Sequence, residues 1–136
     1  MKRLTVNADI QNLSKVLEFI VGELPKDSQN GKLQHDIELV CEEIFVNICN
    51  YAYGDKTGMA EIETDISEGK LTIIFRDNGI PFNPLTRQNP DISLPPEERN
   101  IGGLGIYLVK RLADEVSYRY DENINILTVV KKIENI

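Results

Sequence analysis

Residues 32–52 constrain this 136-residue chain more than any other stretch. Leu33, Ile37, Val40, Cys41, Ile44 and Ile48 recur at helical spacing and form one apolar stripe, with Leu39 and Val46 nearly opposite. A helix apolar on two faces is expected to be sandwiched between other elements, not laid on a surface. The rest of the chain must therefore supply the covering layers.

The flanking segments read as those layers. Residues 2–8 alternate apolar and polar side chains and predict a short strand. Asp9 is the expected N-cap of a helix over 10–24, which Pro25 and the polar stretch to Gly31 end. Residues 53–58 read as a turn. Residues 60–67 and 71–76 predict two strands, joined by a hairpin turn at Glu68-Gly69. Five of the six prolines fall within 80–100, a density that neither a helix nor a central strand tolerates. A loop of that length in a small domain is expected to be a functional lid or a disordered segment, with high mobility from 84 to 100. The glycines at 102, 103 and 105 open a helix to about residue 113, and strands over 116–120 and 124–132 close the chain as a second hairpin. The order predicts an α/β (α+β) two-layer sandwich, one mixed, mostly antiparallel sheet covered on one face by helices.

Length and composition bound the function. One domain over 1–136 is expected, and 41% hydrophobic with 27% charged residues fits an ordinary globular chain. The net charge of -7 leaves no basic footprint for duplex DNA or an anionic membrane. Cys41 and Cys49, roughly 12 Å apart along one helix, are too distant for a disulfide and read as thiols of a reducing compartment. No apolar run approaches the roughly 18 residues that span a membrane. The first residues carry no signal-peptide core, so a cytoplasmic location is the expectation.

Three short segments carry chemistry. Glu43, Asn47 and Asn50 are spaced to share one helix face bordering the apolar stripe. A carboxylate and two carboxamides there could polarise a hydroxyl and ligate a hard cation, or form a plain solvated edge. Asp77-Asn78-Gly79 follows a strand. Its carboxylate can accept a hydrogen bond from an exocyclic amine, its glycine allows close approach, and the same tripeptide is also a common turn. Gly102-Gly103-Leu104-Gly105 runs into a helix, whose free N–H groups suit phosphate, or it serves as a hinge. It is neither a P-loop nor a dinucleotide fingerprint.

In this order and separation, Glu43-Ile44-Phe45-Val46-Asn47, Asp77-Asn78-Gly79-Ile80-Pro81-Phe82-Asn83-Pro84 and Gly103-Leu104-Gly105-Ile106-Tyr107-Leu108-Val109 resemble the N, G1 and G2 boxes of the GHKL (Bergerat-fold) ATPases. The similarity is nearest to the small anti-sigma-factor serine/threonine kinases of bacterial partner-switching systems, and it extends over nearly the whole chain. It implies a Bergerat fold that binds ATP and Mg²⁺. Glu43 would be the general base and Asn47 the Mg²⁺ ligand, with Asn50 on the same nucleotide-binding face. Asp77 would read the adenine amine over Gly79. Gly102, Gly103, Leu104, Gly105 and Ile106 would cradle the phosphates. Thr128 would support the adenine end. Residues of about 80–101 would form the ATP lid, with Arg87 and Arg99 its basic residues. The implied reaction phosphorylates a serine or threonine of an anti-sigma antagonist (STAS-type). The resemblance also implies a sigma factor or other regulatory protein as a further partner and a homodimer, while the acidic charge leads to the expectation of no direct nucleic-acid or membrane partner.

Two positions depart from the pattern. Asn83 stands where relatives often carry Asp, and Tyr51 where they often carry His or a basic residue. They keep two other readings open, a nucleotide-responsive partner-binding module without catalysis and an ATPase component of a signalling assembly. His35, the only histidine, reads as an exposed helix residue, and Lys110 and Arg111 as a solvated helix flank.

Overall fold

The computed structural model describes residues 1–28, 31–86 and 103–133. Strand β1 (Lys2–Asn7) leads through a 3-10 turn at Ile10–Asn12 into helix α1 (Leu13–Val21). Asp9 caps as expected, but it caps that turn, accepting the Gln11 N–H at 2.9 Å. Helix α2 (Lys32–Asn47) continues into a single π turn at Ile48–Ala52. Strands β2 (Met59–Ser67) and β3 (Lys70–Asp77) follow, then a 3-10 turn at Pro84–Thr86. Helix α3 (Gly103–Leu112) precedes strands β4 (Glu115–Asp121) and β5 (Ile124–Lys132). The lid segment expected over 80–101 is described only in its first residues.

The five strands form one sheet in the order β1-β2-β3-β5-β4. The expected two-layer α/β arrangement is present, but no parallel pair occurs among the described strands. The reason is the second hairpin. Strand β4 runs in the same direction as β3, but β5 folds back between them, so each strand meets only antiparallel neighbours.

The core lies between the helices and one sheet face. Val16 and Ile20 of α1, Val40, Cys41, Ile44 and Phe45 of α2, and Val109 of α3 meet Ile62, Ile73, Phe75, Leu127 and Val129 of the sheet. Burial of each large side chain contributes about 1.5–3 kcal/mol. Helix α2 is flanked by α1 and α3. Leu39 and Val46, however, are only half-buried, so among the described residues the helix is enclosed laterally, with no second layer above. On the far sheet face Arg76 Nη1 meets Glu61 at 2.9 Å and Glu63 at 3.0 Å, and Arg3 Nε meets Glu63 at 3.0 Å. The register places Asp77 opposite both Ala60 and Asn125, at the sheet end where the π turn of α2 also arrives.

Candidate functional site

A cleft opens at that sheet end, with about 420 Å³ of empty space, part of it open to solvent. Apolar walls come from Ile44, Ile48, Phe75, Phe82 and Leu127, and the polar groups are Asn47, Asp77, Tyr118 and Asn125. Mostly apolar walls with a few convergent polar groups suit a flat heterocycle that must be oriented.

Asp77 ends β3 and is buried. Its Oδ1 accepts the Gly79 N–H at 2.9 Å and the Asn125 Nδ2–H at 2.9 Å. Burial pushes its carboxyl above the ordinary aspartate value, and those two bonds pull it partly back. Both bonds end on Oδ1, and no hydrogen bond to Oδ2 is present among the described residues. Gly79 is needed for space. A Cβ there would sit 2.2 Å from the Ala52 carbonyl oxygen. That oxygen accepts the Ile80 N–H at 2.8 Å and pins the turn after β3 against the π turn.

Asn47 closes α2, and its Nδ2 is buried with no hydrogen-bond partner among the described residues. An unpartnered buried amide costs about 1–3 kcal/mol, so the site is built for a polar atom that the protein does not supply. An N–H donor calls for an acceptor such as a phosphate oxygen, and only the Oδ1 of the same carboxamide could face a cation. Among the described residues no cluster of three or more His, Cys, Asp or Glu could hold a metal alone. A cation there would depend on ligand oxygens, as Mg²⁺ commonly does.

Glu43 lies one turn before Asn47, about 6 Å along the axis. Its carboxylate is packed against the first turn of α3, and a Cβ added at Gly105 would fall 1.9 Å from Glu43 Oε2. Burial, and secondarily the neighbouring Glu42 charge, push the Glu43 carboxyl upward from its usual value. A carboxylate with a raised pKa is a better proton acceptor. From Asp77 through Asn47 to Glu43 and Gly105, residues far apart in sequence thus stand along one side of α2 and its flanks.

Other expected positions stand differently. Thr128 lies on the opposite sheet face, paired with Ile74 and Ser117, and does not reach the cleft. Asn125, three residues earlier, takes that end of the pocket and had no distinguishing signal in the sequence. Asn50 is exposed and does not line the cleft, because the π turn breaks the 100° periodicity after Asn47. Ile106 is buried in the interior, and Gly103 starts α3. Leu104 lies in the same first turn, while Gly102, Arg87 and Arg99 fall outside the described residues. Tyr51 stacks at a tilt on Phe82, with ring centroids 5.6 Å apart. Asn83 caps the 3-10 turn, accepting the Leu85 N–H at 2.9 Å. His35 is exposed, as expected. Arg111 lies over the Tyr107 ring at 5.7 Å.

A family model described as a histidine kinase-like ATPase domain matches residues 6–131. Two relatives named serine-protein kinase RsbW come from Bacillus thuringiensis (strain Al Hakam) and Bacillus mycoides (strain KBAB4). They are 35% and 32% identical over 96 residues, 68% of this chain. The match spans 60% of the length of each of these relatives. Among solved structures, the histidine kinase AdeS of Acinetobacter baumannii shares the fold with a TM-score of 0.55 at 11% identity, over 99% of this chain and 70% of that one.

Proposed function

We propose, from the premise that this chain belongs to the family of histidine kinase-like ATPase domains, that it binds ATP with Mg²⁺ and phosphorylates a serine or threonine of a partner protein. One observation carries the reading. The Glu43 carboxylate touches Gly105 at the start of α3, and the cleft leading from Asp77 reaches Asn47 one turn away. A nucleotide laid along this line would set its base at Asp77 and its phosphates at the α3 N-terminus.

Each residue then has a task. Asp77 Oδ2 accepts the exocyclic amine of adenine, over the floor that Gly79 makes. The N–H groups of α3 from Gly103 to Gly105, with Gly102 before them, hold phosphate oxygens at the positive end of the helix. Asn47 contributes to holding Mg²⁺, which neutralises phosphate charge when bound. The acceptor hydroxyl oxygen attacks the γ-phosphorus, the bond to the bridging oxygen breaks, ADP leaves, and Glu43 takes the hydroxyl proton. Positioning and charge stabilisation supply most of such a rate enhancement.

The relatives' names support a serine-protein kinase, and the resemblance of the N, G1 and G2 boxes supports an anti-sigma role for it. The substrate proposed here is an anti-sigma antagonist of STAS type, with a sigma factor as the sequestered partner and the chain acting as a homodimer in the cytoplasm. It is one domain over 1–136, with the lid at about 80–101. The test incubates the protein with γ-labelled ATP, Mg²⁺ and candidate antagonists. Labelled phosphoserine or phosphothreonine that disappears in Glu43→Gln is expected, and none with any antagonist overturns the reading.

A second reading has its own observation. Tyr51 engages Phe82 through its ring, where relatives often present a basic side chain. A module that binds ATP and switches partners without phosphotransfer needs no cation there. Nucleotide affinity unchanged in Glu43→Ala, with no turnover in either form, selects that reading.

A further inference from the structure

Asn125 makes hydrogen bonds through both ends of its carboxamide in the cleft, and it is buried at 6% exposure. A carboxamide has two N–H donors and two acceptor lone pairs. Here Nδ2 donates to Asp77 Oδ1 at 2.9 Å and to the Ile80 carbonyl at 2.9 Å. Its Oδ1 accepts the Phe82 N–H at 3.2 Å and the Tyr118 hydroxyl. Exchanging oxygen and nitrogen would set an oxygen against a carboxylate and a carbonyl, and an amine against an N–H. Only one orientation satisfies all four neighbours.

That orientation has two consequences. It fixes the rotation of the Asp77 carboxyl, because Asn125 and the Gly79 N–H hold the same oxygen from two directions. It also ties the carboxyl to residues 80–82, where the chain leaves the sheet. The cross-strand pairing of Asp77 with Asn125 makes both possible.

We propose that Asn125 is the positioning residue that sets base selectivity, holding Asp77 so that Oδ2 meets the 6-amino group of a purine nucleotide. The proposal rests on the nucleotide reading of the cleft. Without Asn125, the Asp77 carboxyl can rotate, and an amino group at that position gains little over an oxo group.

The experiment compares ADP with IDP, which differ at purine position 6, by titration calorimetry with Mg²⁺. It uses the wild type, Asn125→Ala and the isosteric Asn125→Asp. Asn125→Asp retains the acceptor for Phe82 and Tyr118 but faces Asp77 with a second carboxylate oxygen, and it serves should the alanine variant not fold. The wild type is expected to prefer ADP by about tenfold or more, from one hydrogen bond to a charged group. Both variants are expected to reduce that preference to less than about threefold, with ADP affinity lost more than IDP affinity. If the wild type prefers ADP and folded variants keep the ratio, even with both affinities weakened alike, Asn125 is merely structural and the proposal falls while the purine reading stands. If the wild type binds neither nucleotide, or binds both equally, the reading and the proposal fall together.

Discussion

Gly105→Ala adds one carbon at the most crowded point of the site. The new Cβ would lie 1.9 Å from Glu43 Oε2 and 2.5 Å from its Cδ. Restoring an ordinary non-bonded separation of roughly 3.5 Å requires the carboxylate to move by about 1.5 Å. The atom in the way is the end of a flexible side chain, so Glu43 rotates and the fold survives. Alanine also favours a helix over glycine by about 0.5–1 kcal/mol, so the melting temperature is expected to hold or rise slightly. Catalysis responds oppositely. A displacement near 1 Å at reacting groups costs on the order of 10²-fold in rate. Turnover of ATP onto the partner protein should therefore fall about a hundredfold, followed by labelled-phosphate transfer beside a thermal melt. A stable variant with turnover within about threefold of wild type would refute the idea that Gly105 makes room for a base at residue 43.

Three other outcomes follow from the same geometry. The acidic limb of the turnover–pH profile should lie above the ordinary glutamate value of about 4.3, because burial raises Glu43 and only the ionised form accepts a proton. Glu42→Gln removes the neighbouring negative charge and should shift that limb to lower pH, and an unshifted limb would contradict the assignment. Gly79→Ala meets the backbone of Ala52 at 2.2 Å and cannot be relieved by rotating a side chain. It should cost about 1–3 kcal/mol, read as a lowered midpoint in urea unfolding, and an unchanged midpoint would show the π turn to be pliable. Cys49, its thiol pushed up to about 11 mainly by burial, should label with a disulfide reagent at pH 8 more slowly than a free cysteine. The fully buried Cys41 should label only on unfolding.

The sequence carried the element order because each element has its own period. Strands such as 71–76 alternate, 32–47 repeats at helical spacing, and prolines interrupt after residue 80. Glu43, Asn47 and Asp77 were visible as residue types at suggestive spacing. What local reading missed depended on long-range pairing or on a backbone irregularity. In β5 both alternate rows are apolar, Leu127 and Val129 on one side and Ile126 and Val130 on the other. Parity alone could not tell Asn125 from Thr128, and only the register with β3 decides it. Asn50 left the shared face because one π turn changes the angle per residue, which no residue in 48–52 announces. The sheet's lack of parallel pairs follows from where the last hairpin inserts, a topological fact that the strands do not encode singly.

The central claim is that three distant stretches close around one nucleotide. Titrating Mg²⁺ and ADP into isotope-labelled protein, with backbone amide shifts recorded, addresses it directly. Amides near Glu43 and Asn47, at 77–82 and at 103–106 are expected to move together and saturate at one common concentration. Shifts confined to a single stretch, or centred on the far face around Arg76 and Glu63, would contradict it.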